Sequence, residues 1–184
     1  SAGLENPLSI EQKILRPALL TGLLHTLGRN LDLGNRECAF FEIGDCFSRM
    51  SEFRSLGLLA DKAALSPSGD LLKFKRKLEL LLQKLGIRDY KFSPSSRPFF
   101  QEGHCAALII DEQELGIIGQ LKKEILLAFK IDNREALSLE LNLHSTPRPG
   151  RLERSHIHMP VEIPTEKWAA AVREVTLGGG GRQA

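Results

Sequence analysis

Apolar residues recur at two spacings along this chain, and each spacing predicts its own kind of element. From Pro17 onward, Leu19, Leu20, Leu23, Leu24 and Leu27 follow at intervals of three and four, laying a leucine face along a helix. The same period governs Leu71, Phe74, Leu78, Leu81, Leu82 and Leu85, with Asp70 as the expected N-cap and Gly86 as the stop. Over residues 136–143 the period is two. Leu137, Leu139, Leu141 and Leu143 alternate with Ser138, Glu140 and Asn142, so one strand face is buried and the other polar.

Shorter runs fill in the rest. Residues 38–47, rich in aromatic and apolar side chains, read as a strand in which Gly44 marks a bulge or a close backbone approach. Residues 53–60 read as a second strand, although their leucines also suit a helix. Residues 90–92 are a short strand, 105–111 and 114–121 a hairpin, and 122–129 a short helix. Near the start, Ser9 and Gln12 make a capping box after the extended Asn6-Pro7, and Pro17 breaks the chain at Leu15-Arg16 into two helices. Helices mixed with hairpin-joined strands define an α+β fold with a mainly antiparallel sheet flanked by helices.

Composition shifts after His144. Pro147, Arg148, Pro149, Arg151, Arg154, His156 and His158 form a basic, polar connection, so residues 1–144 are expected as the compact domain and 145–184 as a linker leading onward. Residues 168–177 make a short final segment, and 178–181 read as a flexible or non-native end. With 184 residues, 42% hydrophobic and 26% charged, the chain can bury roughly 70% of its unfolded surface and needs no disulfide or metal to fold. A net charge of +2 does not by itself argue for nucleic acid. Cys38 and Cys46 can pair in principle, but three widely spaced cysteines and no signal-like segment favour a reducing, cytoplasmic setting.

Candidate chemistry is sparse. Glu42 and Asp45 can act as paired acids only if Gly44 bulges, because their separation otherwise sends them to opposite strand faces. His156 and His158 lack a suitably spaced cysteine or acid for a metal site, and His104-Cys105 read as core packing rather than a base and nucleophile. Residues 179–182, Gly-Gly-Gly-Arg, lack the following helix that an ATP-binding signature needs. Lys73, Lys75, Arg76, Lys77 and Lys84 offer a basic helix face to tRNA phosphates, against the plainer reading of a solvated face.

Several segments in order resemble the beta chain of bacterial-type phenylalanyl-tRNA synthetase. They are Asn6-Pro7-Leu8-Ser9, then Leu15-Arg16-Pro17 leading into the leucine helix, then Phe41-Glu42-Ile43-Gly44. Residues 75–85 with Glu79, residues 102–107, residues 115–121 and residues 139–143 continue the likeness to the end of one module. Lys122-Lys123 stand where the pattern has His-Pro, Glu102 where it has proline, and Arg76 where it has glycine. Arg173-Glu174-Val175-Thr176-Leu177 resembles the entry strand of the next module, a ferredoxin-like anticodon-binding domain that would be cut off here.

The resemblance implies a fold related to the catalytic domain of class II aminoacyl-tRNA synthetases. It makes Asn6, Pro7, Leu15, Arg16, Phe41, Glu42 and Gly44 structural signature residues. It implies no catalytic residue, metal or cofactor in this segment, with ATP and magnesium expected for the whole enzyme at its alpha subunit. That subunit is the expected partner in a heterotetramer, packing near the leucine helix of residues 17–27, with tRNA(Phe) meeting the full complex. Residues 38–47 fit this picture, since a phosphate-binding sheet needs arginines and this strand has none.

Overall fold

The computed structural model describes residues 18–48, 51–65, 71–147 and 164–177. The element order is α1 (Leu20–Asp32), β1 (Ala39–Phe47), β2 (Ser51–Asp61), a 3-10 turn (Lys62–Leu65), α2 (Leu71–Lys84), β3 (Lys91–Pro94), β4 (Phe100–Ile110), β5 (Gln113–Leu121), α3 (Lys123–Ala128), β6 (Ala136–Pro147) and α4 (Thr165–Leu177). The six strands form one sheet in the order β1-β2-β6-β5-β4-β3, and every pairing is antiparallel. The α+β architecture expected from the patterning is therefore observed.

The period-two run becomes β6, which lies inside the sheet between β2 and β5. Its leucines turn to one face and pack with Leu56, Ala60, Leu108 and Ile118 of the neighbouring strands. Phe74, Leu78, Leu81 and Leu82 of α2 close that face, together with Trp168, Ala171 and Val172 of α4. The other face carries Leu59, Cys46, Cys105 and Leu121 beneath Leu19, Leu23, Leu24 and Leu27, with Leu126 of α3 beside them. One sheet thus has two cores, each sealed by helices from the same chain.

Gly44 does not bulge. β1 pairs with β2 in unbroken register from Ala39↔Ala60 to Phe47↔Glu52, with Gly44 opposite Ser55. The irregularity lies one strand further in: Arg54 faces His144 and Ser55 faces Asn142, so β6 holds the extra residue. Such a slip depends on the partner strand's register, which periodicity in one strand cannot reveal. The hairpin turn, Asp111-Glu112, has positive φ at both residues (47° and 61°), as a two-residue loop between right-twisted strands requires.

Two other expectations change. Cys38 and Cys46 bracket a fully extended strand, so their α-carbons are about 26 Å apart, and all three cysteines are free and buried. The strand expected at residues 173–177 is instead the end of α4, and Trp168 on the same helix is 1% exposed inside the first core. Asn6, Pro7, Leu15 and Arg16, the capping box, the Asp70 cap, His156, His158 and residues 179–182 lie outside the described residues.

Candidate functional site

Continuous register puts Glu42 and Asp45 on opposite faces, so they form no acid pair. Glu42 faces Gly57 on β2, which in turn faces Glu140 on β6. The two carboxylates therefore flank a glycine on the α1 side of the sheet. Glu140 Oε1 accepts a 3.3 Å hydrogen bond from the backbone N–H of Leu19, just before α1. Glu42 Oε2 comes within 3.7 Å of where a Cβ on Gly22 would sit. Negative charge at a helix N-terminus is stabilising, so both acids serve to seat α1. Phe41 packs partly buried on the other face.

Asp45 points to the α2–α4 side and meets Arg54 directly across the β1–β2 pair. The contact is bidentate, at 2.7 and 2.8 Å. The hydrogen bond to Asp45 pushes the Arg54 guanidinium further above its already high value. Arg54 is the one arginine among the described strand residues. Two loop arginines are committed in the same way: Arg97 bonds Glu114, and Arg134 Nη1 reaches Asp61 Oδ2 at 2.9 Å. Asp61 is 2% exposed, and its other oxygen accepts the N–H of Ala63 at 3.2 Å. These pairs went unseen in the sequence because each joins residues brought together only by strand pairing or loop return.

The basic face of α2 is largely engaged inside the fold. Lys75 lies 3.6 Å from Glu79 and 4.4 Å from the centroid of the Phe92 ring. Lys77 donates to the carbonyl of Val175 at 3.4 Å, and Lys84 to Glu174 at 2.6 Å, so both brace α4. Lys73 also has an interaction within the chain. Arg76 is exposed and has no partner among the described residues.

Cys105 is buried while His104 is exposed with Nδ1 3.0 Å from the carbonyl of Glu102, so core packing describes the cysteine and not the histidine. Burial pushes the thiols of Cys38 and Cys105 up, away from a reactive thiolate. Among the described residues no group of three His, Cys, Asp or Glu side chains has metal-holding geometry. An open cleft of about 470 Å³ lies beside α3, lined by Lys123, Leu127, Asn133, Arg134 and Glu135 among others. Its polar groups are partly committed, since Glu135 holds Lys62 at 2.7 Å and Gln120 at 3.2 Å. The hydrogen bond from Lys62 holds the Glu135 carboxyl below its ordinary range.

The architecture recurs in solved structures. Two structures of pyrrolysyl-tRNA synthetase from Desulfitobacterium hafniense superpose with TM-scores of 0.57 and 0.52, at 19% and 20% identity. They cover 69% and 70% of this chain, and 46% and 47% of theirs. The fold is therefore that of the class II aminoacyl-tRNA synthetases.

Within that class the chain belongs to the family of the phenylalanyl tRNA synthetase beta chain CLM domain, whose model matches residues 1–143. A phenylalanine–tRNA ligase beta subunit from Moorella thermoacetica is 31% identical over an alignment covering 97% of this chain and 25% of that protein. The corresponding subunit from Protochlamydia amoebophila is 33% identical, covering 76% of this chain and 19% of its own length. The chain thus spans a quarter or less of these relatives. No helix among the described residues is long and apolar enough to cross a membrane.

Proposed function

We propose that this chain is the non-catalytic, synthetase-like core of a phenylalanine–tRNA ligase beta subunit, and that it works by packing against the catalytic alpha subunit. The reading keeps a class II sheet for assembly and leaves aminoacylation, with its ATP and magnesium, to the partner. A cytoplasmic heterotetramer and contact with tRNA(Phe) belong to the whole enzyme. The last strand of the sheet runs to Pro147, and α4 packs on the sheet through Trp168, Ala171 and Val172.

The observation that carries the reading is the fate of the strand arginine Arg54 and the loop arginines Arg97 and Arg134. Gripping a nucleotide's phosphates takes guanidinium groups free to bond oxyanions. Here Arg54, Arg97 and Arg134 are each neutralised by a carboxylate of their own fold. Leu19 presses on Gly57 over one sheet face, and α2 and α4 cover the other. The tRNA-binding alternative has less support, because Lys75, Lys77 and Lys84 hold β3 and α4 in place.

Phenylalanine-dependent ATP–pyrophosphate exchange tests the absence of catalysis. The chain alone gives background exchange, and adding the alpha subunit gives activity that depends on the alpha subunit's own site. Exchange by the isolated chain above background would sink the proposal and revive a standalone class II enzyme.

A further inference from the structure

The family match ends at residue 143, and α4 lies beyond it. The groove that α4 fills is built inside the match, from α2, β2, β4, β5 and β6. Trp168, Ala171, Val172 and Val175 stand at i, i+3, i+4 and i+7, the spacing of a helix laid into an apolar groove. Two pockets receive them. Leu82, Leu108, Ile110, Leu115 and Leu141 line the space around Trp168, which is 1% exposed. Leu58, Phe74, Leu78, Leu81 and Leu139 line a second pocket with Val172 and Val175. Toward the end of α4, Lys77 Nζ donates to the Val175 carbonyl at 3.4 Å and Lys84 Nζ to Glu174 at 2.6 Å. Cations are favoured there, at a helix C-terminus. α4 adds no strand to the sheet. A helix of 13 residues is marginal in water by itself, so docking is what keeps α4 helical.

We propose that this groove is a helix-binding site and that α4 is its tethered ligand. The ligand class is an amphipathic helix with a tryptophan at the first anchor and valines one and two turns further on. The matched module is the host, and the guest is joined to it through residues 148–163. A tether raises the guest's effective concentration at the groove. The same helix supplied free therefore competes poorly with the intact chain and well once the tether is cut. The apolar anchors decide the affinity, because Lys84 and Glu174 are 46% and 64% exposed and their ion pair contributes little. The proposal concerns two parts of one chain and stands or falls independently of the alpha subunit.

The test cuts the whole chain at a protease site placed between β6 and α4 and keeps both pieces in solution together, with circular dichroism following the fold. At micromolar concentration the α4 piece is expected to co-elute with the remainder on gel filtration. The emission of Trp168, the single tryptophan, stays that of a buried indole. A fluorescent synthetic peptide of residues 164–177 then exchanges into the cut chain. Trp168→Ala in that peptide is expected to weaken binding by at least about tenfold, and Glu174→Gln by no more than about fivefold. The uncut chain takes up the parent peptide at least about tenfold less well. Separation of the two pieces while the larger one stays folded would mean that the tether alone holds α4, and would overturn the proposal. Unfolding on cleavage, or a helix that never exchanges, would overturn it too, since α4 would then be an inseparable part of the core. A Trp168→Ala peptide that binds like the parent would remove the assigned anchor and the site with it.

Discussion

Leu19 lies directly on the backbone of Gly57: a Cβ added there would stand 2.9 Å from Leu19 Cβ and 2.9 Å from Leu23 Cδ1. That contact lets α1 approach the sheet between Glu42 and Glu140, and it leaves no room for a side chain. Gly57→Ala is expected to destabilise the domain by about 1–3 kcal/mol through overpacking. A lower urea midpoint with an unchanged slope is the expected readout, and an unchanged midpoint would refute the packing.

Trp168, the single tryptophan of the chain, is wedged near Leu82, Leu108 and Leu141. Its fluorescence should therefore change in the same urea transition as the far-ultraviolet circular dichroism. Trp168→Ala should lower stability by about 3–5 kcal/mol, as for other large buried aromatics. A fluorescence transition that precedes the loss of helix and sheet would instead make α4 a separately opening element.

Arg134 ties the Asp61 carboxylate to the carbonyl of Arg36, at 2.9 and 3.3 Å, which joins two loops to the end of β2. Arg134→Met keeps the length of the side chain and removes its charge, leaving Asp61 buried without its cation. The expected loss is about 3 kcal/mol, read from equilibrium denaturation at neutral pH. Adding Asp61→Asn should recover part of it, because the stranded charge is then gone.

Glu135 gives a pH signature. Its folded-state carboxyl lies below the ordinary range because Lys62 bonds the ionised form. It therefore contributes stability above the ordinary carboxylate value, and that contribution disappears as pH falls through the lowered one. Both partners are well exposed, so the effect is modest. Glu135→Gln should flatten the acid side of the stability profile and leave its alkaline side alone; identical profiles for the two proteins would refute the assignment.

What could be read from the sequence follows from which forces are local. The helix at residues 71–84 and the alternating strand around Leu139 announce themselves because burial on one face imposes a period. The two-residue hairpin turn was visible as a polar gap between apolar runs. Gly44 misled because a bulge belongs to a pair of strands, and the slip sits opposite Arg54 instead. Residues 173–177 misled because the strand there was expected from a likeness to another module's entry strand, whereas Trp168, Ala171, Val172 and Val175 have helical spacing. The surface was hardest to read. A row of five cations on α2 looks like one basic face, yet only the fold reveals that Lys77 and Lys84 reach α4 while Arg76 stands apart.

The central claim is that a synthetase fold is kept here for assembly. Light scattering of this chain mixed with purified alpha subunit at micromolar concentration measures that directly. The expected result is a species whose mass is the sum of both chains or a multiple of it, absent from either component alone. Two independent peaks at the separate masses would contradict the account.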